Sequence, residues 1–158
     1  MIIREIKRED NHKIKKIIQN SLESLNLDIE GTAYFDPQLN DLYYFYNSLT
    51  NAKYWIVEIN NRVVGGIGIA PFNDKEEICE LQKLYLTPET QGLGVAKKLM
   101  DTAITFANTH YKKCYLETTS DLTAACFLYE KFGFKLLNSP INGSEHTAMD
   151  TWYLKDLS

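Results

Sequence analysis

The chain has 158 residues, 44% hydrophobic and 24% charged, which suits one domain with one core over residues 1–158. No run of about 18 apolar residues is present, which excludes a membrane-spanning helix, and a net charge of −4 argues against a general nucleic-acid binder. Cys79, Cys114 and Cys126 form no CxxC pair and His12, His110 and His146 have no metal spacing, so no disulfide framework, zinc site or other metal is expected. The start, MIIREIKRED, carries charge almost at once, and the chain is expected to be mature and cytoplasmic.

In chain order, Met1 to Lys7 alternates as a strand. Asp10 or Asn11 is placed to cap a helix in which Ile14, Ile17, Ile18, Leu22 and Leu25 recur at helical spacing. Residues 28–37 break that pattern, and Leu39 to Ser48 follows as a short tyrosine-rich helix. KYWIVEI (Lys53 to Ile59) and RVVGGIGIA (Arg62 to Ala70) flank an Asn-Asn turn and predict a hairpin. Pro71 to Glu76 is a polar loop, and ICELQKLYL (Ile78 to Leu86) is the next strand.

A long helix is expected over Gly92 to His110, with Val95, Leu99, Met100, Ala103 and Phe106 on its buried stripe. Cys114 to Glu117 is a short strand. Leu122 to Lys131 is a helix ended by Phe132-Gly133, and Phe134 to Leu137 and Thr147 to Leu154 are the last strands. The order β-α-α-β-β-β-α-β-α-β-β defines a mixed α/β fold. The strands at Ile78 and Cys114 should pair in parallel through a right-handed crossover, leaving a crevice where they splay apart.

The charge is uneven along the chain. Residues 1–90 sum to −4, 91–135 to +2 and 136–158 to −2, so the basic part starts at QGLGVA (Gln91 to Ala96). That loop lacks the Lys-Ser/Thr of a Walker A motif and the third glycine of a dinucleotide loop. Two readings remain: a plain turn, or backbone N–H groups at a helix N-terminus aimed at an anion such as a pyrophosphate.

The spacing Gln91-x-x-Gly94-x-Ala96 resembles the Q/R-x-x-G-x-G/A signature of the GCN5-related N-acetyltransferases (GNAT). LTAACFLYEKFGF (Leu122 to Phe134) is similar to that family's second signature, matching at Ala125, Leu128, Tyr129, Gly133 and Phe134, with Leu122 where many members have Asn. The resemblance covers almost the whole chain. It implies a mostly antiparallel central sheet with one splayed parallel pair and helices on both faces. It also implies acetyl-CoA held by Leu84, Tyr85, Leu86, Gln91, Gly92, Leu93, Gly94, Val95, Ala96, Lys97 and Leu122, and direct acetyl transfer to a primary amine in a ternary complex.

Such a transfer needs a base, because an alkyl ammonium has a pKa of about 10.4. By the period of two, Glu80, Gln82, Leu84 and Leu86 share one strand face, and Glu80 is the only carboxylate on it. Its position resembles that of the family's general base; the alternatives are an exposed edge glutamate, and Glu117 as the base instead. Tyr129 is the acid that resemblance implies, against a reading as a core aromatic with a wet tip. The aromatic stretch Thr32 to Asn47 offers Tyr34, Asp36 and Tyr43 for the acceptor. A non-catalytic acyl-CoA-binding domain is the alternative function. A homodimer through the C-terminal strand is open, and neither nucleic acid nor membrane is expected as a partner.

Overall fold

Alternating β-formers in seven segments build a single sheet. The computed structural model describes residues 1–158. The strands are β1 (Ile2–Glu5), β2 (Lys53–Ile59), β3 (Arg62–Asn73), β4 (Ile78–Leu86), β5 (Lys113–Thr118), β6 (Lys135–Leu137) and β7 (Thr151–Asp156). They lie in the order β1-β2-β3-β4-β5-β7-β6, and every neighbouring pair is antiparallel except β4 with β5. The fold is therefore the mixed α/β architecture read from the sequence. β7 lies inside the sheet, so the C-terminal strand offers no free edge to a second copy; the edges are β1 and β6.

The helices are α1 (Asn11–Ser24), α2 (Leu42–Asn47), α3 (Val95–His110) and α4 (Thr123–Lys131). Ile14, Ile18 and Leu22 of α1 and Leu42 and Tyr46 of α2 pack with Tyr54 and Ile56 in one core. Leu99, Met100 and Ala103 of α3 and Tyr129 of α4 pack with Val57, Ile67 and Leu81 in the other. The i, i+3/i+4 apolar spacing of α1 and α3 is what buries one stripe of each helix.

Several boundaries differ from the sequence reading. The helix expected over Leu39 to Ser48 breaks at Asp41. A 3-10 turn (Pro37–Asn40) precedes α2, and the Asp41 side chain accepts from the Tyr44 N–H over 3.0 Å. Asp10 does not cap α1; it accepts instead from the Arg4 guanidinium (2.7 and 3.0 Å) and the Lys7 N–H (2.7 Å). β3 continues through Pro71 to Asn73, tolerating proline beside a register shift. The strands expected to open at Phe134 and Thr147 start at Lys135 and Thr151.

The feature that positions the site is a bulge in β4. Gly68 faces Gln82, yet Gly66 faces Tyr85, so β4 carries one residue more than β3 across this step. Lys83 occupies it with φ 50°, a left-handed conformation uncommon outside glycine. The Tyr54 hydroxyl donates to the Lys83 carbonyl over 2.8 Å and holds it there. Past the bulge the alternation reverses. Leu84 and Leu86 pack with the α3 core, as Leu81 does, while Tyr85 packs with the α1 core. The expected sharing of one face by Glu80, Gln82, Leu84 and Leu86 is thus corrected: a strict period of two does not survive an inserted residue.

Candidate active site

β4 and β5 pair only at Ile78–Lys113, Cys79–Cys114 and Glu80–Tyr115. Beyond Glu80 the two strands diverge, and a long cleft opens toward α3 and α4. It has two lobes that share Leu86, Thr87, Pro88, Ala96, Ala124 and Leu128. The inner lobe, of about 490 Å³, is walled by Leu84, Tyr85, Leu86, Leu122 and Tyr129 and by Ile17 and Ser21 of α1. The outer lobe, of about 520 Å³, is walled by Gln91, Gly92, Gly94, Val95, Ala96, Lys97, Phe127 and Lys131. The structure therefore brings together every residue the sequence suggested for a cofactor except Leu93, whose side chain is 60% exposed and lines neither lobe.

The outer lobe is built for an anion. Gly92 and Gly94 adopt φ 81° and 73°, conformations that glycine reaches without a steric penalty. Gln91 and Leu93 donate their backbone N–H to Pro88 and Thr90 carbonyls. By helix geometry the N–H groups of Val95, Ala96 and Lys97 have no intrahelical acceptor, and they sit at the positive end of the α3 dipole. The Lys97 and Lys131 side chains add cations to the same lobe. Between the lobes, Thr87 Oγ1 is buried with no hydrogen-bond partner in the protein. A long ligand with an anionic end and a hydrogen-bonding, otherwise apolar arm matches these features.

On the other side of Tyr85 lies a smaller cavity of about 60 Å³, walled by Ala33, Glu80, Leu81, Gln82, Lys83, Tyr85, Glu117, His146 and Met149. Tyr85 lines both this cavity and the inner lobe, so the two spaces meet across one ring. Gln82 Nε2 donates to Glu80 Oε1 over 2.7 Å. Burial pushes the Glu80 carboxyl above the usual carboxylate range; the Gln82 hydrogen bond opposes that rise and the nearby Glu117 adds to it. Glu117 Oε2 accepts from the Tyr115 hydroxyl over 2.7 Å, while its Oε1 is buried without a partner. Burial also raises the Tyr129 phenol, so it holds its proton at neutral pH.

Asp36, in the loop before α2, does not line this cavity but holds two residues that do. Its Oδ2 accepts from Lys83 Nζ over 2.9 Å, and His146 Nε2 lies 3.0–3.1 Å from both its oxygens. Burial alone would raise the Asp36 carboxyl, but the hydrogen bonds and charges of His146 and Lys83 outweigh it and hold it low. The Asp36 hydrogen bond raises His146 in turn, against the opposing effect of burial.

Tyr34 and Tyr43, the other two acceptor candidates, do not line the cavity. Tyr34 stacks edge-on against Phe35 at 5.1 Å, and the Arg8 guanidinium sits 5.3 Å over the Tyr43 ring. Lys83 and His146 were not suggested by sequence. Lys83 looks like an ordinary solvated lysine until the bulge turns it inward. His146 lies in the long 138–150 connection between β6 and β7, whose length without regular structure was the available signal.

A splayed parallel pair, a glycine turn opening a helix beside the cleft and a largely buried carboxyl where the strands part fit an acyltransferase. The sequence profile of the acetyltransferase (GNAT) family matches residues 19–134. The chain belongs to that family and is an N-acetyltransferase. It is 38% identical to the uncharacterized N-acetyltransferase YjgM of Escherichia coli K12, over 99% of this chain and 95% of the relative. It is 32% identical to the N-acetylaspartate synthetase of Xenopus tropicalis over 77% of this chain, but spans only 41% of that longer protein.

Among solved structures, a GNAT-family acetyltransferase of Staphylococcus aureus Mu50 superposes with a TM-score of 0.83 at 20% identity, covering 99% of each chain. The yncA protein of Salmonella typhimurium with its cofactor acetyl-CoA superposes with a TM-score of 0.77 at 19% identity, covering 100% of this chain and 94% of that one. No helix is long and apolar enough to cross a membrane.

Proposed function

We propose that the chain moves an acetyl group from acetyl-CoA to a primary amine by direct attack, with both substrates bound together. The observation that carries this reading is Glu80: a largely buried carboxyl with a raised pKa at the point where β4 and β5 part, on the wall of the small cavity that shares Tyr85 with the cleft. The reading assigns acetyl-CoA to the cleft, its diphosphate to the Gly92–Lys97 turn and its arm to the inner lobe beside Leu84, Tyr85, Leu86 and Leu122. Bound there, acetyl-CoA supplies an activated acyl carbon.

The remaining work falls to side chains. Glu80 takes a proton from the acceptor ammonium, directly or through a water. Its raised pKa makes it a stronger base than an exposed glutamate and keeps it mostly ionised above its own pKa. As the new N–C bond forms and the C–S bond breaks, Tyr129 gives its phenolic proton to the sulfur, and the second proton lost by nitrogen restores the phenol. Cys126 takes no part: it lies on α4 with its thiol donating toward the Thr119 carbonyl at 3.7 Å. Three cysteines without partners fit a reducing, cytoplasmic setting, and β1 and β6 are the edges open to a second copy.

Calorimetric titration with acetyl-CoA, followed by thiol release across an amine panel, tests the proposal. Binding with turnover on at least one amine is the expected result. Binding without turnover on any amine would favour a non-catalytic acyl-CoA sensor. No binding would remove the proposed enzyme.

A further inference from the structure

The small cavity has two walls of opposite chemical need. On one wall, Glu117 Oε1 is buried with no donor from the protein, and a buried acceptor left without a donor is costly. Glu80 stands beside it. On the other wall, the Lys83 side chain is only 3% exposed, and its ammonium has a single protein acceptor, Asp36 Oδ2. Two of its three N–H donors therefore have no acceptor in the protein.

Asp36 also serves His146, so one carboxylate faces two cations. With His146 protonated, which its bond to Asp36 favours, that trio carries one positive charge in excess. The bulge at Lys83 is what brings this charge to the same cavity as Glu80.

A ligand that only donates satisfies Glu117 but leaves Lys83 unmatched and sets a cation near the excess positive charge. A ligand with an ammonium and a carboxylate a few ångströms apart satisfies both walls. Resting on the assignment of this cavity to the acceptor, we infer that the acceptor is a free α-amino acid, its ammonium toward Glu80 and Glu117 and its carboxylate toward Lys83 and His146. A polyamine brings a second ammonium and no carboxylate, so it leaves Lys83 and His146 without an anion. A peptide N-terminus brings the ammonium without the adjacent carboxylate.

The test compares matched acceptors in the full chain with saturating acetyl-CoA. Each proteinogenic L-amino acid is assayed beside its amide and its decarboxylated amine. The best free amino acid should exceed its amide in kcat/KM by about 100-fold or more, because the amide leaves buried charge unpaired. In Lys83→Met the acid-to-amide ratio should fall to near one, and in His146→Gln it should fall part of the way.

The inference is overturned if amides, peptide N-termini or simple amines are acetylated as well as free amino acids. It is also overturned if the ratio is unmoved in a Lys83→Met protein that binds acetyl-CoA like wild type. If Lys83→Met does not fold, the wild-type ratio and His146→Gln decide. Turnover on amines lacking a carboxylate as efficient as on any free amino acid would refute the inference and leave the transferase intact; no turnover on any amine would remove both.

Discussion

The Tyr46 hydroxyl donates to Gln82 Oε1 over 2.7 Å, and this fixes which end of the Gln82 amide faces Glu80. With Oε1 occupied, Nε2 points to the carboxyl and stabilises its ionised form. Tyr46 reaches Gln82 across Gly68, where a Cβ would lie 2.6 Å from the tyrosine oxygen, so the glycine in RVVGGIGIA is a steric requirement of the base's environment. In Tyr46→Phe the amide is free to turn away. Glu80 then rises further, and the acid limb of kcat/KM moves to higher pH. On the acid side of that limb kcat/KM should drop roughly 5-fold, the worth of about 1 kcal/mol of hydrogen bond. An unmoved limb in the pH profile would separate Tyr46 from the base.

Glu80→Gln removes the proposed base while keeping the shape. kcat should fall by about 10² to 10⁴ with acetyl-CoA affinity nearly unchanged, and the acid limb should vanish. Stability gives a second readout. A carboxyl whose folded pKa lies above its unfolded value favours the fold most at low pH, and that contribution is lost as pH rises through the folded pKa. Glu80→Gln should therefore melt at or above the wild-type temperature at pH 8. A variant that loses both activity and stability would mark Glu80 as a structural residue.

Much of the fold follows from local pattern. The helical spacing of Ile14, Ile18 and Leu22, the Asn-Asn hairpin turn and the glycine at the end of α4 each act within a few residues, where propensity and turn chemistry decide. Gln91 to Lys97 was legible for the same reason, since a turn into a helix is local. The small cavity beside Glu80 was not. Lys83 enters it only because β4 gains a residue against β3, which no period along one strand reveals. His146 meets Asp36 across 110 positions of sequence, and only the folded chain joins them. The aromatic stretch before and within α2 misled in the other direction: Tyr34 and Tyr43 serve packing and surface, and Asp36 bears on the cavity only through Lys83 and His146.

Gly94 tests the anion turn. A Cβ there meets nothing within 4 Å, so Gly94→Ala disturbs no packing; it forces an L-residue to hold φ 73°. That costs about 1–2 kcal/mol. If relief comes by shifting the turn, the N–H groups move away from the diphosphate. Coenzyme A affinity should weaken roughly 10-fold, equivalent to about 1.4 kcal/mol. Gly143→Ala is the matched control, with φ 105° near Phe72 and away from the cleft. It should lose stability and keep its affinity. Equal affinity losses in both variants on calorimetry would count against a specific anion site at Gly94.

Asp36→Asn tests how far the cavity's own charges hold the fold. The substitution leaves the Lys83 ammonium, 3% exposed, without its counter-charge. Breaking a buried pair from one side costs about 3–5 kcal/mol, and removing both partners costs far less. Urea unfolding should show Asp36→Asn strongly destabilised and Asp36→Asn/Lys83→Met largely restored. His146 adds a pH dependence of known sign. Its folded pKa is raised above its ordinary value of 6.5, so its bond to Asp36 stabilises fully below that value and is lost as pH rises through the folded pKa. The gap between wild type and Asp36→Asn should therefore narrow on going from pH 6 to pH 9. It should not close, because the variant also loses the carboxylate that accepts from Lys83 Nζ. Additive effects of the two substitutions would mean that Lys83 and Asp36 are not coupled, and the charged wall assigned to the acceptor's carboxylate would lose its anchor.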